Sequence, residues 1–200
     1  MSSTQRVFYV VYLPAGEFRT CLDALRVIAR PQTRFPAHLT VRGPYAEAAD
    51  VSPHSDRIRD AIVRIAGVGI FDGAGQNTVF LHCSCPDLLS VWDKPDYGYN
   101  PHITLYDGDS LDFAEALYDV LEQAQLRHSF RARGLEPLVS RRGDTAPPVR
   151  DRLDSAALAE IFGVWPSTVD IDAMDDGQRL EWVARIAHHL GCADKTSILV

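Results

Sequence analysis

Apolar positions along this chain recur in two periods, and the switches between them mark out its elements. Residues 7–13 are an unbroken run of β-branched, aromatic and aliphatic side chains ending at Pro14, which predicts a buried strand. Over 18–29 the spacing of Cys21, Leu22, Leu25, Val27 and Ile28 is helical, and Pro31 closes the segment. Residues 38–41 read as a second strand stopped by Gly43-Pro44. Ser52-Pro53 then opens a second helix carrying Ile58, Ile62, Val63 and Ile65. Two strands at 68–71 and 78–83 flank a turn at 73–77, so a hairpin is expected.

Beyond the hairpin, 88–92 has the makings of a short helix, and 94–101 is a loop by its proline and glycine content, leading into a strand at 102–106. Phe113, Ala116, Leu117, Val120, Leu121 and Ala124 give 111–126 a helical stripe, and 128–139 returns as strand. A polar, proline-bearing stretch follows. Helical periodicity resumes at 155–162 and 178–190, with Asp154 or Ser155 as N-cap and Gly191 as C-cap. The pattern predicts a domain of alternating strands and helices over 1–140, a linker over 141–153 and a small helical extension over 154–200.

Composition narrows the function classes. With 46% apolar, 24% charged and 9% aromatic residues in 200, the chain has the makeup of an ordinary globular protein with a core of its own. A net charge of −7 and a pI near 5.4 argue against gripping long nucleic acid by broad phosphate neutralisation, while a small or end-recognised phosphate ligand remains compatible. Arg34, Arg42, Arg131, Arg133, Arg141 and Arg142 stand out from the acidic remainder. The apolar run at the start is too short to span a bilayer and lacks the flanks of a signal peptide, so a cytoplasmic protein is expected. Cys21, Cys83, Cys85 and Cys192 include no CxxC pair and read as reduced thiols; His82, Cys83 and Cys85 crowd one strand, where alternate faces disfavour a shared metal.

Candidate chemistry lies in a repeat. Pro36-Ala37-His38-Leu39-Thr40-Val41 is matched by Asn100-Pro101-His102-Ile103-Thr104-Leu105, two copies of His-apolar-Thr-apolar. Chance predicts roughly 0.07 such four-residue patterns in a chain of this composition. On a strand, positions i and i+2 share a face, so each histidine looks out beside its threonine while Leu39, Val41, Ile103 and Leu105 turn to the core. Cleavage of a phosphodiester by in-line attack needs one group to take a proton from the nucleophile and another, across the phosphorus, to protonate the leaving oxygen. Two imidazoles can hold those complementary states near neutral pH, and two threonine hydroxyls can donate to the non-bridging oxygens.

On these residues the chain resembles the two-histidine (2H) phosphoesterases, which include the 2′-5′ RNA ligase-like proteins and 2′,3′-cyclic nucleotide phosphodiesterases. The resemblance covers roughly residues 5 to 140. It implies a bilobal α+β fold with two antiparallel sheets facing each other across a cleft and helices outside, and a metal-independent phosphodiesterase without a cofactor. His38, Thr40, His102 and Thr104 would be its catalytic residues. By the same resemblance His102 is the base that activates water and His38 the acid that protonates a departing ribose 2′-oxygen. An aromatic at the cleft rim is expected to meet the base, with Phe35, Tyr45, Tyr97, Tyr99 and Tyr106 as candidates; Arg42, after the first motif, is placed to reach a phosphate. The expected partner is a nucleotide or RNA-end phosphate, most directly a 2′,3′-cyclic phosphate, with a 2′-5′ linkage, a cyclic oligonucleotide or RNA joining as alternatives, and no membrane.

Two readings compete outside this class. Residues 158–169 echo a helix-turn-helix, but Asp170, Asp172, Asp175 and Asp176 put negative charge where phosphates would sit, against DNA binding. A nucleotide binder without turnover would not require all four motif side chains.

Overall fold

The computed structural model describes residues 5–73, 75–93, 98–141 and 147–193, with the side chains of 141 and 193 left aside. Among them are seven strands and six α-helices: β1 (Gln5–Tyr12), α1 (Glu17–Ala29), β2 (His38–Tyr45), α2 (Ser52–Arg57), β3 (Ile62–Gly73), β4 (Gln76–Ser84), β5 (His102–Gly108), α3 (Leu111–Ala124), β6 (Arg127–Arg131), β7 (Glu136–Arg141), α4 (Ser155–Phe162), α5 (Thr168–Ala173) and α6 (Asp176–Ala193). The strands form one antiparallel sheet in the order β6-β3-β4-β5-β2-β1-β7. Two separate sheets were expected. One group, β7-β1-β2, and the other, β5-β4-β3-β6, are instead joined where Leu39 of β2 pairs with Ile103 of β5.

The α+β class follows from which face each strand buries. Val7, Tyr9 and Val11 of β1, Leu39 and Val41 of β2, Leu81 and Cys83 of β4 and Ile103 of β5 share one core with Leu22, Leu25 and Ile28 of α1 and Phe113, Leu117 and Leu121 of α3. The strands' other face carries both histidine motifs. There Val10, Phe80 and Leu138 are buried, yet they stand outside the helix-side core.

Several elements depart from the sequence pattern for local reasons. The second helix ends at Arg57, and Asp60 takes a left-handed turn (φ 65°) that lets β3 begin at Ile62. From there burial alternates, Val63 and Ile65 inward and Ile62 and Arg64 outward, so what looked like helical spacing is a strand's period of two. The expected short helix at 88–92 is a 3-10 turn over Pro86–Ser90. The expected strand at 128–139 is two strands, β6 and β7, broken at Gly134 (φ 121°) and sent to opposite edges of the sheet.

The C-terminal helices join the same core. Leu158, Phe162, Ile171, Val183, Ile186, Ala187 and Leu190 are buried in it, and α6 packs against both α1 and α3. Asp154 caps α4 by accepting from Ala157 N at 3.0 Å. Gly191 is not a cap, because α6 runs on to Ala193; a Cβ there would lie 2.6 Å from Ala124 O, so the glycine permits close approach to the end of α3. The helix-turn-helix echo becomes α4, a left-handed Gly163 and a six-residue α5 that bears Asp170 and Asp172. Among the described residues, no helix is long and apolar enough to cross a membrane.

Candidate active site

The two motifs open two neighbouring strands. Leu39 and Ile103 are paired in antiparallel register, and one step either way sets His38 across from Thr104 and Thr40 across from His102. Continued in that register, the four residues would mark the corners of a rectangle with the histidines on one diagonal. Diagonal neighbours on a sheet face lie roughly 7–8 Å apart at the backbone, which leaves room between two imidazoles for a tetrahedral phosphate. All four residues are half-buried, while Leu39, Val41, Ile103 and Leu105 are buried in the core behind them.

Both rings are held in the same way. His38 Nδ1 lies 2.7 Å from Pro36 O, and His102 Nδ1 lies 2.7 Å from Asn100 O. A carbonyl oxygen can only accept, so each Nδ1 carries its proton and donates, and Nε2 is left as the atom of the neutral ring that takes up or gives back a proton. The prolines upstream of each motif thereby acquire a role: Pro36 supplies the acceptor for His38 itself, and Pro101 follows the acceptor for His102.

The strands beside the motifs differ in character. Tyr12 of β1 pairs with His38 and meets its ring edge-on at 5.9 Å between centroids. On the other flank Phe80 and His82 of β4 pair with Thr104 and His102, and the Phe80 ring lies 5.0 Å from that of His102. Phe71 of β3 stacks on Phe80 at 4.3 Å, stands edge-on to His102 at 5.8 Å and is 44% exposed. Gly69 makes room for these rings: a Cβ there would run into Phe80 and come within 2.8 Å of His82 Nε2.

Phe71 and Phe80 were not foreseen from the sequence. The available signal was Gly67-x-Gly69-x-Phe71 opposite Phe80-x-His82, a strand cleared of side chains beside an aromatic pair. The periodicity of 68–71 did not reveal which face these residues share.

The expected binding residues disperse. A bulge follows Thr40, so Arg42 pairs with Tyr9, whose ring belongs to the core behind the sheet. Arg42 there donates to Val91 O at 2.7 Å and meets Asp93 Oδ2 at 3.2 Å, and the Tyr45 hydroxyl donates to the same carboxylate. Burial and that hydrogen bond raise the Tyr45 phenol above its ordinary pKa. A second bulge follows Thr104 and turns Tyr106 into the core against Phe113, 5.1 Å between centroids. Arg42, Tyr45 and Tyr106 thus stand apart from the four motif residues. Tyr99 donates to Cys85 O at 2.5 Å and packs on Trp92; the Phe35 carbonyl accepts from Arg26; Tyr97 lies outside the described residues.

Cys83 and Cys85 are buried toward the core while His82 faces out, so the three do not converge. A cavity of about 740 Å³ lies away from the motifs, between the end of α1, the end of β5 and the start of α6, lined by Arg30, Asp107, Ser110, Asp176 and Arg179 among others. Among the described residues, that lining holds carboxylates and arginines but no imidazole, whereas the strands bearing the motifs bring two imidazoles together. Comparison of the chain with protein-family models and with curated proteins finds no match in either.

Proposed function

We propose that this protein is a metal-independent phosphodiesterase of the two-histidine type, which hydrolyses a nucleotide or RNA-end phosphodiester with His38 and His102 as its acid–base pair. The observation that carries this reading is the register at Leu39 and Ile103, which sets the histidines on one diagonal and the threonines on the other. In-line displacement at phosphorus has the same layout: nucleophile and leaving oxygen lie on opposite sides, and the negative non-bridging oxygens lie between.

In the forward step the Nε2 atom of one imidazole takes a proton from water as its oxygen forms the new P–O bond. The other imidazole, protonated, gives its proton to the departing ribose oxygen as the old P–O bond breaks. Thr40 and Thr104 donate to the non-bridging oxygens. Each step leaves the pair with its protonation states exchanged, and solvent restores them. The resemblance gives the base to His102 and the acid to His38.

A 2′,3′-cyclic phosphate fits best among the substrates. Its strained ring needs no second strand to be gripped, which suits an acidic chain, and the exposed Phe71 face offers a stacking surface for a base with no hydrogen bonds that select among bases. The two strand groups meeting at β2 and β5 would then act as two lobes, one bringing each histidine.

The test is hydrolysis of the four nucleoside 2′,3′-cyclic phosphates and of an RNA ending in one, with the product isomer determined. The expected product is a single monophosphate isomer, formed with a bell-shaped dependence on pH. No hydrolysis of any of the five would contradict the assignment of substrate class.

A further inference from the structure

We infer that Asp23 and Arg26 of α1 form a buried clamp that sets the two His-x-Thr motifs against each other, so that Arg26 is a positioning residue for the reaction proposed above. The inference rests on that reading for its kinetic consequence, though not for its geometry.

Every residue from Cys21 to Ala29 is buried, and Asp23 and Arg26 are each only 7% exposed. A charged pair inside such a helix is costly to desolvate, and burial accordingly raises the Asp23 carboxyl above its ordinary range and lowers Arg26 below its own. Arg19 Nε, one turn earlier on α1, lies 3.6 Å from Asp23 Oδ2, and the pair's other bonds outside α1 end on the motifs or the segment that delivers them. Arg26 Nε donates to Thr104 O at 2.9 Å, in the second motif. Arg26 Nη1 donates to Phe35 O at 2.7 Å and lies 3.5 Å from Asp23 Oδ1. Asp23 Oδ1 in turn accepts from Ala37 N at 2.5 Å, one residue before His38.

The consequence for His38 is direct. Phe35 is held by Arg26 and Ala37 by Asp23, and between them lies Pro36, whose carbonyl accepts from His38 Nδ1. The clamp therefore fixes the acceptor that orients one imidazole. Through Thr104 O the same guanidinium grips the strand bearing the other, next to the bulge where the regular ladder is interrupted. Three acceptors at fixed angles match the planar fork of arginine, and the single ammonium of lysine has no such fork.

The experiment compares Arg26→Lys, Arg26→Met and Asp23→Asn with wild type, by steady-state kinetics well below each melting temperature and by ¹⁵N NMR of the histidine side chains. Asp23→Asn keeps an acceptor for Ala37 N. The expected result is a kcat reduced by about 10- to 100-fold in Arg26→Lys with KM within about twofold, since misplacement of reacting groups by an ångström has effects of that size. Imidazole signals of both His38 and His102 should shift while that of His188 on α6 stays. A lower melting temperature with unchanged kcat, or shifts at neither motif histidine, would overturn the clamp. Should wild type turn over no phosphodiester, the functional reading fails while the NMR comparison still decides the clamp. Should Arg26→Met not fold, the other two variants decide it.

Discussion

Leu39 and Ile103 face each other across the seam between β2 and β5, and this pairing brings together two motifs that are far apart in the chain. Neither side chain has chemistry of its own. Their registration sets His38 beside Thr104 and Thr40 beside His102, because a shift of one residue would send either motif to the helix-covered face.

The threonine hydroxyls should matter through the phosphate alone. Thr40→Val and Thr104→Val keep the shape and the half-buried position. A hydrogen bond to a charged group contributes about 1.5–3 kcal/mol, so each change should lower kcat/KM by roughly 10- to 100-fold with little change in melting temperature. Kinetics and thermal melting on the same samples check this.

Phe71→Ala separates base recognition from phosphate chemistry. Stacking on an aromatic is worth about 1–3 kcal/mol per base, so the variant should lose kcat/KM toward nucleoside cyclic phosphates by about 5- to 150-fold. It should act as wild type does on the cyclic phosphate of a simple diol. Equal losses on both substrates would assign Phe71 to supporting Phe80 and His102 instead.

Three thiols should resist modification in the folded protein. Burial pushes Cys21 and Cys83 up from 9.0 to about 12 and raises Cys85, while Cys192 is exposed. At pH 8 a thiol reagent should label Cys192 rapidly and the other three only on unfolding. A thiol whose folded pKa is raised contributes stability that is complete below its unfolded pKa and is lost as pH rises toward the folded one. Alkaline destabilisation should therefore set in near pH 9 and deepen toward 12, as denaturant melts across that range would show.

Gly191→Ala tests the docking of α6. Helix propensity alone favours alanine by about 1 kcal/mol, yet a Cβ would lie 2.6 Å from Ala124 O. Overpacking of this kind costs about 1–3 kcal/mol, so the variant should be less stable, by a chemical denaturation curve, than the same exchange at an exposed helical site.

Much of this was legible in the sequence, and the parts that were not share a cause. The hairpin of β3 and β4, the helix after β5 and both motif strands follow from local periodicity, and so do the half-buried positions of His38, Thr40, His102 and Thr104. Strict alternation of faces does not continue past either threonine. From 38 and 40 one expects 42 on the same face, and from 102 and 104 one expects 106, but a bulge after each motif turns Arg42 and Tyr106 elsewhere. Bulges depend on pairing with neighbouring strands, which spacing within one strand does not encode. The joining of two expected sheets into one is a matter of pairing as well. Asp23 and Arg26 were hidden differently: charges in a helix pattern read as its solvent side, and only the packing of several elements around α1 shows that this helix has scarcely any.

The most direct measurement is turnover, in excess EDTA, of a short RNA ending in a 2′,3′-cyclic phosphate by wild type, His38→Ala and His102→Ala, each verified as folded. General acid–base groups contribute roughly 10²- to 10⁴-fold each, so wild type should open the ring and either variant should fall by at least the lower of those factors. Wild-type activity that vanishes in EDTA, or a histidine variant that matches wild type, would contradict the two-histidine mechanism.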